Sequence, residues 1–151
     1  LLRDLDMHAQ IWVHAPDLPE LAPRLATLKV PLVVDHMGRM NVALGIDNPG
    51  FGKLCAMLAD GSVWTKISGA DRNSNKKGHS DDIDAFAARI LKANPDHVVW
   101  GTDWPHINYF NEADVPDDGV LLNTLRRWAA DEQSLKKVLV DNPANLYGFR
   151  A

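Results

Sequence analysis

The sequence predicts an α/β fold built on a parallel sheet. Three observations lead there. Strand-like apolar runs alternate with helical stripes four times along the chain. The later strands start near residues 30, 63 and 97, which are 33 and 34 residues apart, the repeat of a βα unit. Polar groups stand at the C-terminal ends of these runs: His14, His36, Arg39, Ser68, Arg72, Asp103 and His106. In a parallel sheet all of those ends lie on one side, which is where a site collects.

The bulk composition narrows the class. With 151 residues, 46% of them hydrophobic and 24% charged, the chain is read as a single globular domain with its own core. A net charge of -4 argues against nucleic acid or an anionic membrane as the main partner. A small anionic substrate stays open, because local arginines override the global sign. The single cysteine, Cys55, lies in an apolar helical stretch and is read as a small core residue. One cysteine fits a reducing, cytoplasmic setting. No apolar run approaches the roughly 20 residues of a membrane span. Residues 1–6 read as the tail of a helix running straight into a strand, so the chain is expected to be a piece of something longer.

The elements follow in order. Residues 7–15 alternate, with His8, Gln10, Trp12 and His14 on one face and Met7, Ala9, Ile11, Val13 and Ala15 on the other. A polar face without Lys or Glu suits a barrel lumen; His14, nearest the strand end, is the site candidate, and His8 is expected to be buried. Leu18, Leu21, Leu25 and Leu28 form a helical stripe. Residues 30–35 form a second, nearly continuous apolar strand ending in Asp35-His36-Met37-Gly38-Arg39. By alternation Val34 and His36 share a face and Asp35 points the other way. His36 is open to a capping role and Arg39 to a solvated one.

Residues 51–59 read as helix and 63–68 as the third strand, with Trp64, Lys66 and Ser68 on one face. A polar loop, 73–79, follows; Lys76 and Lys77 in it read as solvated. Ser80 is expected to cap the next helix, with Asp81, Asp82 and Asp84 at its start, as helix-start chemistry and not as metal ligands. Residues 97–102 are the fourth strand. Helices are expected over 120–130 and 134–140, and Pro143 sits at the first turn of a last one. The fourth strand runs into Gly101-Thr102-Asp103-Trp104-Pro105-His106. An aspartate at the end of a buried strand is desolvated unless a partner or a reaction uses it; a turn cap is the plainer role. No glycine-rich phosphate loop occurs.

Four segments, Asp35-His36-Met37-Gly38-Arg39, Lys66-Ile67-Ser68-Gly69, Gly101-Thr102-Asp103-Trp104-Pro105-His106 and Asp141-Asn142-Pro143-Ala144, together resemble the amidohydrolase superfamily, nearest its 2-pyrone-4,6-dicarboxylate lactonase branch. The resemblance covers essentially the whole chain. It implies a (β/α)8 TIM barrel, of which residues 1–151 would be the C-terminal half, strands five to eight. The family's first-strand His-x-His pair has no counterpart here. Half a barrel leaves two open sheet edges, so the missing N-terminal half or self-association is expected to cover them.

By the resemblance, Asp103 is the general base that activates water and His36 helps polarise the scissile carbonyl. Arg72 matches an arginine for a substrate carboxylate. Trp12 stands where the lactonases place a substrate-contacting tyrosine, a departure that bears on the substrate. Arg39, His14 and His106 are added as substrate-binding candidates from their place at strand ends. The implied reaction is hydrolysis of a small anionic lactone in aromatic-compound catabolism. A metal-dependent decarboxylase or another amidohydrolase on the same barrel is the alternative, and an inactive barrel fragment a third. Much of the superfamily binds a divalent metal such as zinc, whereas the lactonase branch works without one. His36 and Asp103 are the only candidate metal ligands, fewer than the about three that catalytic zinc takes from protein.

Overall fold

Four short runs of β-branched and apolar residues pair into one sheet in the computed structural model, which describes residues 1–76 and 80–149. They are β1 (Ala9–Ile11), β2 (Leu32–Val34), β3 (Trp64–Lys66) and β4 (Val98–Val99). The sheet is parallel throughout, in the order β1-β2-β3-β4. Each strand is shorter than its apolar run, because the chain leaves the ladder early to form the turns that carry the polar groups. Lys77 and His79, expected in the loop before the third helix, lie outside the described residues.

Register fixes which side chain faces where. Val34 pairs with Ile11 and Thr65, and Thr65 with Val98. This row faces the helices and joins the main core with Leu18, Phe51, Leu54, Leu58, Ile83, Ile90 and Leu125. Thr65, buried in that row, satisfies its hydroxyl on the Val34 carbonyl at 2.9 Å. The opposite face carries Val33, Trp64 and Val99, with Leu146 against them. Gln10, Asp35 and Lys66 belong to the same face. Gln10 Nε2 donates to Asp35 at 2.9 Å, and Lys66 Nζ is 2.9 Å from its other oxygen. The polar side of the first strand does therefore turn to the sheet face opposite the main core.

Helices α1 (Leu18–Leu25), α2 (Pro49–Ala59), α3 (Ala70–Asn73), α4 (Asp84–Ala93), α5 (Asp118–Trp128), α6 (Glu132–Lys136) and α7 (Asn142–Tyr147) make up the helical elements that matter for the site. Capping explains several starts. Asn48 accepts from the backbone N–H of Gly50 and Phe51, so α2 begins at Pro49, ahead of the apolar run. Asp117 accepts from Val120 N–H and starts α5 two residues earlier than its hydrophobic stripe suggests. A β-carbon on Gly50 would lie 2.0 Å from the Ala15 carbonyl oxygen, so α2 reaches the end of the first strand only because this residue has no side chain.

Three expectations are corrected. Ser80 makes no side-chain cap, because a 3-10 turn, Asp81–Ile83, comes before α4. The aspartates beside it do stand in the first turns, and their carboxylates also reach other segments: Asp82 accepts from the Ser74 hydroxyl and the Asn75 backbone N–H, and Asp84 takes Arg127 at 2.9 and 2.8 Å with Trp128 Nε1 at 2.7 Å. The guanidinium on Asp84 makes a charge-assisted pair. His8 is half-buried, not core, with its ring edge-on to Tyr147. The break expected near residue 140 is a π turn, Lys137–Asp141, that carries α6 on into α7. Cys55 is buried as expected, and burial raises its thiol pKa.

Asn142, buried at the start of α7, ties the end of the chain to β4. Its amide donates to the carbonyls of Pro95 at 2.8 Å and Val98 at 2.7 Å. Asn142→Ala should lower stability by about 1–3 kcal/mol, since it takes its donor from the carbonyl of the buried Val98; a urea titration of both proteins measures it, and an unchanged midpoint would remove Asn142 from the fold's supports.

Candidate active site

The residues that follow β2 depart sharply from strand geometry. His36, Met37, Gly38 and Arg39 all have positive φ, from 47° to 66°. A left-handed run of four costs non-glycine residues roughly 1–2 kcal/mol each and needs an external hold. Two holds are visible. Gly38 N–H donates to the Asp35 carbonyl at 2.9 Å, and Asn73 Nδ2 on α3 donates to the His36 carbonyl at 2.9 Å. This run overturns the alternation argument. His36 does not follow Val34 to the helix side; the left-handed turn swings it toward β3 and β4.

There His36 meets two partners. Its Nδ1 is 2.8 Å from Ser68 Oγ, and its Nε2 is 3.4 Å from Asp103 Oδ1. Gly69, at φ 68°, permits this approach: a β-carbon there would stand 3.3 Å from His36 Cβ and Nδ1. Burial holds the His36 imidazole below its ordinary pKa; the Asp103 carboxylate pulls the other way with smaller effect. The ring is therefore neutral at neutral pH. Ser68 and Asp103 stand at opposite ring nitrogens, and a Ser68 hydroxyl donating to Nδ1 would leave the ring proton on Nε2, facing Asp103.

Asp103, at φ 70°, shares its second oxygen with Arg72, whose Nε is 2.7 Å from Oδ2. Arg72 also donates through Nη2 to the Ile107 carbonyl at 2.8 Å and stacks on the Tyr109 ring at 5.1 Å. Its Nη1 makes no hydrogen bond among the described residues. The arginine singled out in the sequence thus lies against the aspartate, where only folding could place it.

The other candidates stand apart. Trp12 is 60% exposed, meets His14 edge-on at 4.8 Å, and lies under the Arg39 guanidinium at 5.7 Å. Arg39 has no carboxylate partner among the described residues, though its charge reaches His36. His106 is buried. Its Nε2 is 2.9 Å from Asp118 at the start of α5, and its backbone N–H donates to the Asp103 carbonyl at 2.9 Å. The Trp104–Pro105 peptide inside this turn is cis.

Sequence reasoning missed Asn73, Tyr109 and the Asp35–Lys66 pair. Asn73 and Tyr109 sit outside the strand ends, and nothing in local pattern marks them. Lys66 could have been found: a lysine on a buried strand calls for a carboxylate, and Asp35 is the neighbour in register.

A family model described as amidohydrolase matches residues 1–149. The chain belongs to the amidohydrolase family. Among relatives of this amidohydrolase, a 4-sulfomuconolactone hydrolase of Hydrogenophaga intermedia is 37% identical over 145 residues, covering 96% of this chain and 48% of the relative. A 2-pyrone-4,6-dicarboxylate hydrolase of Comamonas testosteroni is 37% identical over 152 residues, covering 95% and 49%. The chain spans about half the length of these curated relatives. A crystal structure of a Burkholderia multivorans amidohydrolase with bound zinc superposes at a TM-score of 0.79, covering 99% of this chain and 55% of that one. At 20% identity it shows the shared α/β fold alone.

Zinc has to be tested against the donors present. His36 Nε2 and Asp103 Oδ1 converge, but Asp103 Oδ2 is already held by a guanidinium. Among the described residues no group of three or more His, Cys, Asp or Glu could hold a metal ion. The described residues therefore do not by themselves fit a catalytic zinc site. Among them, too, no helix is long and apolar enough to cross a membrane.

The lowered pKa of His36 has a consequence for stability. Unfolded, the imidazole takes its proton near pH 6.5; folded, it takes it only at lower pH. Its contribution to stability is complete above that value and is lost as pH falls from there through the folded pKa. Urea midpoints should therefore drop between pH 7 and pH 5.5 more in the native protein than in His36→Gln; equal drops would show that the ring protonates freely in the fold.

Proposed function

We propose that this chain is the C-terminal half, strands five to eight, of a (β/α)8 barrel, and that the whole barrel opens an anionic lactone in aromatic-compound catabolism. The substrate class is a carboxylated lactone such as 2-pyrone-4,6-dicarboxylate. One observation carries the reading: at the C-terminal end of a parallel sheet, a carboxylate, Asp103, is held between a neutral imidazole and a guanidinium. The names of the relatives, two lactone hydrolases, support it.

The chemistry follows from the atoms present. Asp103 takes a proton from water as the water oxygen bonds to the lactone carbonyl carbon. His36 Nε2–H donates to the carbonyl oxygen as it gains charge. When the tetrahedral carbon collapses, the ring C–O bond breaks, and the departing oxygen takes the proton back from Asp103. Ser68 keeps the His36 proton on Nε2 throughout. Arg72 holds the base through Nε and has Nη1 to offer a substrate carboxylate, while Arg39, backed by Trp12 and His14, would meet a second anionic group. His106 would act on the turn that bears Asp103 through its backbone N–H.

The edges of the sheet bear on partners. β1 and β4 each have one open side among the described strands, and an N-terminal half or a second copy would complete the ladder. No step of the reaction is assigned to a metal. A zinc ion would need donors beyond His36 and Asp103.

In the protein carrying the whole barrel, Asp103→Asn should reduce kcat on 2-pyrone-4,6-dicarboxylate by about 10³-fold while substrate still binds. Loss of the pyrone absorbance, followed with added zinc and with a chelator, measures turnover and metal dependence together. Undiminished hydrolysis would refute Asp103 as the base; inactivity of the native protein in both conditions would point to another substrate or to a decarboxylase.

A further inference from the structure

The loop after β4 carries the base, yet it has little core of its own. Trp104 is 76% exposed, Ile107 65% and Phe110 97%. Tyr109 behaves differently. Its hydroxyl donates to Asp71 on α3, and its ring lies beneath the Arg72 guanidinium at 5.1 Å. Asp71 and Arg72 are consecutive, so one tyrosine touches both. The second oxygen of Asp71 is buried with no hydrogen-bond partner among the described residues, which leaves the Tyr109 hydroxyl as that carboxylate's described partner. Burial, reinforced by Asp71, pushes the phenol pKa up to about 12, so it remains a donor across the working range.

We infer that Tyr109 and Asp71 are positioning residues, a latch between the β4 loop and α3 that holds Arg72 Nε on Asp103. The inference rests on the hydrolase reading for its kinetic consequence and on geometry alone for the latch. Arg72 spans the gap between the two segments: Nε reaches Asp103, Nη2 reaches Ile107, and its face rests on Tyr109. Without the phenol hydroxyl, the Asp71 carboxylate loses its described partner and the tie between α3 and the β4 loop is broken. Arg72 is then no longer held against Asp103 from the loop side, and the base loses its fixed direction.

The test uses Tyr109→Phe in the protein carrying the whole barrel, which keeps the ring and removes only the hydroxyl. Asp71→Leu and Asp71→Asn form a second pair, the asparagine retaining an acceptor oxygen. Two readouts are taken: lactone kinetics, and the NMR resonance of the Arg72 Nε–H, with Asp103→Asn as the reference for its loss. Tyr109→Phe and Asp71→Leu should lower kcat about tenfold or more with KM nearly unchanged, and should shift the Arg72 resonance toward that of Asp103→Asn. Asp71→Asn should recover most of both. Native kcat in Tyr109→Phe, or an Arg72 resonance identical to the native one, overturns the inference. A native protein inactive on both 2-pyrone-4,6-dicarboxylate and 4-sulfomuconolactone would sink the hydrolase reading, and the Arg72 resonance would then decide the latch by itself.

Discussion

Asp103 divides its two carboxylate oxygens between His36 and Arg72, and the C-terminal side of the sheet is arranged around that division. Each partner comes from a different βα unit: His36 follows β2, Arg72 sits on α3 beyond β3, and Asp103 follows β4. A partly buried carboxylate with two partners is stable only while both are in place; removal of one partner from a buried pair typically costs about 3–5 kcal/mol. The same contact thus closes three adjacent units into one body and presents a base at their common end. Catalytic placement and cohesion of the upper sheet are one interaction.

Backbone strain gathers at the same end. Positive φ occurs at His36, Met37 and Arg39 after β2 and at Asp103, His106 and Asn108 after β4. Such residues persist only where surrounding bonds over-determine them. Here those bonds are Asn73 on the His36 carbonyl, Gly38 on the Asp35 carbonyl and His106 on the Asp103 carbonyl. The strain serves a geometric end. A regular strand would send His36 to the helix face beside Val34, away from Asp103.

Below this cluster, the sheet face opposite the main core is half apolar and half charged. Val33, Trp64 and Val99 pack together, while Asp35 is neutralised by Lys66 and Gln10. Asp35 and Lys66 both lie close enough to act on the charge of His36, with opposite sign. Asp35 and Lys66 thus oppose each other at the imidazole, and burial outweighs the Asp103 carboxylate in holding it below its ordinary pKa.

The sequence by itself determined the parallel α/β order, the strand ends that carry His36, Ser68, Arg72 and Asp103, the buried Cys55, and the four segments that mark an amidohydrolase. The order and the strand ends follow from periodicity and from residue type at a boundary, both of which are local; the four segments speak through their resemblance to a known family. It determined helix starts less well, because caps such as Asn48 and Asp117 act from outside the hydrophobic stripe. What only the tertiary structure decided is which polar groups meet. The left-handed turn at residues 36–39 reverses the face His36 would take, the shared aspartate draws Arg72 inward, and Asp118 claims the imidazole of His106. Tyr109 and Asp71 meet 38 residues apart. Side-chain pairing across βα units depends on register and on turn dihedrals, and neither is written in any stretch short enough to read on its own.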